Sequence, residues 1–170
     1  GWRASRQSIS GLSGKGGTTS MRDSLPDSLE IPTLTVSRPE QILVHTGFTV
    51  SYNPQWRIPN WVAYELTRQE SYGKVERYSR FEKDPDVKGV CPEYWDYNDS
   101  GYDRGHMAPA GDMKWDADAM RESFYMSNIC PQNHTFNEGD WNYLENRVRG
   151  WANFFGKVYV ACGPIVSKHP

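Results

Sequence analysis

A chain of 170 residues with 37% hydrophobic and 14% aromatic content is long enough for one domain with its own core and short for two. Seven Trp and ten Tyr exclude a disordered chain, and no run approaches the roughly 18 apolar residues of a membrane span. A net charge of −2 excludes histone-like binding of nucleic acid by bulk charge, but allows positive charge gathered in one groove.

Residues 1–30 are rich in Gly, Ser and Thr, show no periodicity, and read as a flexible linker or tag ahead of a domain over 31–170. No apolar signal-peptide core stands in residues 1–20, and Gly1 is compatible with a targeting segment already removed. "ILVHTGFTVSY" then alternates apolar and polar residues, which predicts a strand pair or kinked strand about Gly47, and "PNWVAYELTRQ" continues as a strand. Between Gln69 and Ser100 lies a charged stretch with Pro and Gly, a loop long enough to wrap a site. "KWDADAMRESFYMSNICPQ" predicts a short helix and then a short strand, "FYMSNI".

The clearest helix is "DWNYLENRVRGWANFF", where Trp141, Leu144, Val148, Trp151 and Phe155 fall at steps of three and four and form a core-facing stripe, with Gly156 as C-cap. "KVYVACGPIV" reads as a buried strand. The order of strands, loops, helix and strand is α+β with an antiparallel sheet core, not a parallel doubly wound fold. Three scattered cysteines, Cys91, Cys130 and Cys162, leave open one disulfide plus a thiol or three buried thiols, and their spacing matches no compact zinc module.

Chemistry concentrates in two places. In "YDRGHMAPAGDM" His106 follows Asp103 and Arg104, with Gly105 allowing a sharp turn beside it, and a histidine is a natural general base at neutral pH. Against this stands a plain strand-end turn with a surface Asp103–Arg104 ion pair. In "SNICPQNHTFNEGDWNYLENRVR", Asn128, Asn133 and Asn137 precede or open a helix, where Asn is also a favoured N-cap. Glu145 and Arg149 are four apart, an ordinary exposed helix pair unless something binds them. Asn137 stands eight residues before Glu145 and shares its face if the helix starts early; an amide oxygen, a carboxylate and water suit Mg²⁺. Arg80, in "SRFEKDP", adds a further cation. A base, a hard-metal site and several arginines are the parts that phosphodiester hydrolysis needs. His45, His134 and His169 carry no such context.

These motifs resemble the DNA/RNA non-specific endonucleases of the ββα-metal, or His-Me finger, superfamily, which includes secreted bacterial and mitochondrial nucleases. The likeness rests on "DRGHMAPAGDM", "SNICPQ" and "FNEGDWNYLENRVR" and extends over about residues 40–165. It implies a ββα-metal finger active site with His106 as general base and Asn137 as direct ligand of a single Mg²⁺, Mn²⁺ being able to substitute. Glu145 would hold metal-bound water. Arg104, Arg80 and Arg149 would contact phosphate or stabilise the transition state, Asn128 would support the site, and Asp103 would fix the motif's geometry. The implied reaction cuts DNA and RNA to 5′-phosphate ends with little sequence preference, because backbone phosphates carry no sequence information. It also implies a secreted or periplasmic protein, a homodimer being left open and an inhibitor protein unidentified. Family domains continue beyond "VYVACGPI", so the domain is expected to lack its C-terminal part. The rival reading is a nucleic-acid-binding module without turnover.

Overall fold

The structure, a computed structural model, describes residues 28–166. Residues 1–27, which hold most of the expected linker, and 167–170, with His169, lie outside the described residues. The described residues open with one 3-10 turn, Ser28–Glu30, whose Glu30 is buried.

Strands β1 (Gln41–Val44), β2 (Thr49–Asn53), β3 (Ile58–Thr67) and β6 (Lys157–Cys162) form an antiparallel sheet in the order β1-β2-β3-β6. The alternation about Gly47 therefore resolves as a strand pair, closed by a hydrogen bond from His45 N to Phe48 O (2.9 Å). Val50, Tyr52, Val62, Tyr64 and Leu66 join the main core, and Ser51, Trp61 and Ala63 between them are buried as well, so the central strands β2 and β3 are covered on both faces. A separate antiparallel pair joins β4 (Asp103–His106) to β5 (Ile129–Gln132), with Gly105 opposite Cys130 and His106 opposite Ile129. The result is the α+β architecture with antiparallel sheets that the sequence predicts.

Helix α1 (Ala117–Glu122) is capped by Asp116, whose carboxylate accepts from Asp118 N and Ala119 N. The strand expected at "FYMSNI" is displaced: Met126–Asn128 form a 3-10 turn and pairing starts only at Ile129. Ser127 and Asn128 are committed to side-chain bonds with other elements, which favours the turn over a ladder.

The long helix starts earlier than its apolar stripe suggests. Asn133 caps a single turn, α2 (His134–Phe136), its side chain accepting from Phe136 N (3.2 Å). A π-helical turn over Asn137–Trp141 follows, and then α3 (Asn142–Phe155). Gly156 ends it with φ of 90°, the left-handed C-cap position. The core-facing stripe holds only in part. Trp141 and Ala152 are buried, and Leu144 and Val148 pack against the core, but Trp151 is 42% and Phe155 70% exposed. The stripe shifts because Ala152, not its neighbour Trp151, is small enough for the close approach to the sheet. β6 also departs from expectation: it alternates between exposed and half-buried residues up to the buried Cys162, since it is the outer strand of the sheet.

The segment over 69–100 is mostly irregular, with 3-10 turns at Glu70–Tyr72 and Tyr94–Tyr97. It is pinned at Asp84, which is buried and accepts from His45 Nε2 (2.7 Å), Ser127 Oγ (2.5 Å) and Asp86 N (2.9 Å). Burial alone would raise this carboxyl, but the bonds from His45 and Ser127 outweigh it and hold it below its ordinary range. All three cysteines are free and buried.

Candidate active site

A polar cleft of about 580 Å³ opens where β4 meets the start of the long helix, and Arg77, Arg104, His106, Asn137, Glu145 and Arg149 line it. Three separate parts of the chain thus converge: the irregular stretch, β4 with the turn after it, and the π-helical turn as it runs into α3. A π-helical turn re-aims the residues that it carries, and such turns are frequent at functional sites.

β4 carries His106 to the rim. The glycine before it serves packing instead of a turn: Gly105 lies flat in the pair, and a Cβ there would sit 2.1 Å from Gln132 Oε1. The His106 ring stands between Phe81 (5.5 Å between centroids) and Phe124 (4.7 Å, edge-on). Although the residue as a whole is half-buried, Nε2 is shielded from solvent and has no hydrogen-bond partner. Burial, seconded by the Arg77 guanidinium, pushes its pKa down to about 3, so the ring is neutral throughout the physiological range. Trp141 Nε1 donates to His106 O (3.3 Å), tying the strand end to the long helix. Behind the histidine, Asn128 clamps the chain: its amide donates to Ala108 O (2.9 Å) and Ser123 O (2.8 Å) and accepts from Ala108 N (2.8 Å). Asn128 is fully buried and does not line the cleft.

The Asp103–Arg104 ion pair is absent among the described residues, because both side chains have other partners. Asp103 accepts from the Asn137 amide (3.0 Å) and from His134 Nδ1 (2.9 Å). The Asn137 bond, followed by that of His134, lowers the Asp103 carboxyl. Arg104 donates to Tyr94 O (2.8 Å) and Asn98 Oδ1 (2.5 Å).

On the helix, Glu145 sits largely out of water, and burial lifts its pKa to about 7 against the lowering pull of Arg149. Arg149 forms no exposed pair with it; Nη1 donates to the fully buried Asp112 (2.7 Å), and Nη2 to Asn146 Oδ1 (2.9 Å). Tyr64 OH donates to the other Asp112 oxygen (2.6 Å). Arg80 does not line this cleft but an adjoining pocket, whereas Arg77, which sequence reasoning missed, does.

The donor set fits a hard divalent cation. Asn137 has its amide nitrogen committed to Asp103, which leaves the carbonyl oxygen as its ligand atom, and Glu145 brings a carboxylate into the same cleft. His45, Asp84 and Asp86 also bring ligand atoms within 4.8 Å of one another, but none of them lines the cleft, and Asp84 already accepts three hydrogen bonds, one of them from His45 itself.

Two antiparallel strands followed by a helix, with a histidine on the first strand and an amide and carboxylate on the helix, define a ββα-metal nuclease fold. The solved structure of an EndoG/EndoGI complex, which concerns EndoG inhibition, superposes with a TM-score of 0.70 at 34% identity, covering 78% of this chain and 60% of that one. The model of the DNA/RNA non-specific endonuclease family matches residues 26–169, and the chain belongs to that family. Mitochondrial nuclease EXOG of Xenopus laevis is 40% identical over 134 residues, 78% of this chain and 37% of the relative. The human protein of the same name is 37% identical over 123 residues, 71% of this chain and 33% of the relative. The chain thus spans about a third of the length of these curated relatives. Both are named mitochondrial, which overturns the expectation of a secreted or periplasmic protein.

Proposed function

We propose that the chain carries the catalytic centre of a Mg²⁺-dependent, sugar-non-specific endonuclease that hydrolyses phosphodiester bonds in DNA and RNA to 5′-phosphate ends. The observation that carries this is the meeting of a neutral His106 with Asn137 and Glu145 in one arginine-lined cleft.

His106 takes a proton from the attacking water. A pKa of about 3 makes it a weak base in the free protein, but a phosphodiester anion beside the ring favours the imidazolium and raises that value as substrate binds. Phe81 and Phe124 fix the ring plane and keep bulk water off it. Asn137, oriented by Asp103, and Glu145, through water, would hold the metal. When bound, the ion neutralises charge on the scissile phosphate and its leaving oxygen. Arg77, Arg104 and Arg149 face the same space and supply further positive charge to the phosphate. No described helix is long and apolar enough to cross a membrane. The likeness to EndoG in its EndoGI complex supports an inhibitor protein as a further partner.

The test is incubation with plasmid and with total RNA, in Mg²⁺ and in EDTA. Nicked or degraded substrate in Mg²⁺ alone is expected, and intact substrate with folded protein would sink the reading. His106→Ala should abolish cleavage while nucleic-acid binding survives, and Asn137→Ala should weaken metal binding first.

A further inference from the structure

Next to the cleft lies a second pocket of about 470 Å³, lined by Ser79, Arg80, Phe81, Glu82, Tyr94 and Arg104. It shares Phe81 and Arg104 with the cleft, so a group in one is a near neighbour of a group in the other. Beside Ser79 and the Glu82 carboxylate, its walls are two aromatic rings and two guanidinium groups. Arg104 lies over both rings, 5.6 Å from the Phe81 centroid and 5.7 Å from that of Tyr94. Tyr94 is 47% exposed and belongs to none of the buried clusters, so packing does not explain it.

The turn that carries Tyr94 is braced from several directions. Glu93 and Asp96 form a capping box, Lys83 pairs with Glu93, Trp95 sits edge-on to Tyr94 (5.0 Å), and Arg104 Nε donates to Tyr94 O (2.8 Å). An exposed aromatic ring on a braced turn beside the cleft offers a stacking surface, and with only two side-chain torsions to fix it does so at low entropic cost. The Glu82 carboxylate in the lining repels a second phosphate but accepts a bond from an exocyclic amine.

We propose that this pocket holds an unpaired base of the nucleotide adjoining the scissile phosphate, stacked against Tyr94, with Arg80 on the neighbouring backbone. The inference rests on the nuclease reading and adds to it a preference for single-stranded or frayed substrate, since a paired base cannot enter.

The test uses the chain with His106→Ala, which permits binding without turnover, and short single strands with an abasic residue placed in turn at each position. Binding is read by anisotropy, and stacking by quenching of 2-aminopurine in the same positions. One position should quench strongly and lose about tenfold to a hundredfold in affinity when abasic. Adding Tyr94→Ala should remove the quenching and weaken binding of the intact strand by the same factor, with no further loss for the strand abasic there; Tyr94→Phe should restore both. If Tyr94→Ala leaves the intact-to-abasic ratio unchanged at every position, the stacking site is wrong even where wild-type protein cleaves. If Tyr94-dependent quenching persists while wild-type protein fails to cleave, the hydrolytic reading falls and the base site stands.

Discussion

The Asn137 amide donates to Asp103 at 3.0 Å, and this bond decides which end of Asn137 faces the cleft. An amide can present either a donor or an acceptor, and only its oxygen can bind a cation. Asp103, held in turn by His134 Nδ1 at 2.9 Å, accepts the nitrogen and so aims the oxygen. The first residue of "DRGH" thus acts through a residue on a different element.

Asp103→Ala should free the Asn137 amide to rotate. The expected outcome is Mg²⁺ affinity lower by about tenfold to a hundredfold, the usual cost of losing a supporting partner of a ligand. Titration calorimetry with Mg²⁺ checks it, and saturating metal should recover much of the activity. Loss of the maximal rate with unchanged Mg²⁺ affinity would argue against the aiming role.

His106 predicts an acid limb of stability. Its folded-state pKa, about 3, lies below the ordinary value near 6.5. The folded protein therefore binds fewer protons than the unfolded chain between those values. This contribution is fully present above about pH 6.5 and is lost progressively as pH falls toward 3. His106→Gln lacks it, so between pH 6.5 and 4 the variant's Tm should fall less steeply than that of wild-type protein. Parallel Tm profiles would show that the ring is not shielded as described.

Arg149 has a structural duty that complicates any kinetic reading of its variants. Asp112 is fully buried, and burial pushes its carboxyl up against the lowering bonds from Tyr64 and Arg149. Arg149→Ala leaves that group without its cation and should cost about 3–5 kcal/mol, against roughly 1 kcal/mol for Tyr64→Phe, which removes one bond. Urea unfolding measures both. Equal small losses would mean that Asp112 is already protonated.

The centre of the site was legible because family spacing and chemistry agreed: His106, Asn137 and Glu145 do line one cleft, and the helix starts early enough to bring Asn137 to it. Arginines were harder. Arg77 and Arg80 sit in irregular backbone, where no period says which way a side chain points, and the structure puts only Arg77 into the cleft. Long-range partners were invisible as well. Nothing local ties Arg149 to Asp112, or Asp84 to His45 and Ser127, and it is such bonds that turn "FYMSNI" from a strand into a turn. The helical stripe failed at Trp151 and Phe155 because periodicity finds a face without saying how wide the contact with the sheet is.

Glu145 sets function against stability. Burial lifts its carboxyl from 4.5 to about 7, so the folded protein binds more protons than the unfolded chain between those values. The stabilising contribution is present below about pH 4.5 and is lost as pH rises through 7, where an anion must be held in a desolvated place. Glu145→Gln keeps the shape and removes that charge. In EDTA at pH 8 the variant should be more stable than wild-type protein by roughly 1–2 kcal/mol, a gain that shrinks to about a quarter of that at pH 5. It should also lose most of its cleavage in Mg²⁺. Paired urea unfolding at the two pH values, with plasmid digestion alongside, measures both sides. A variant that is less stable at pH 8 would show that Glu145 is held as a carboxylate by its surroundings, and that it needs no metal to hold its charge.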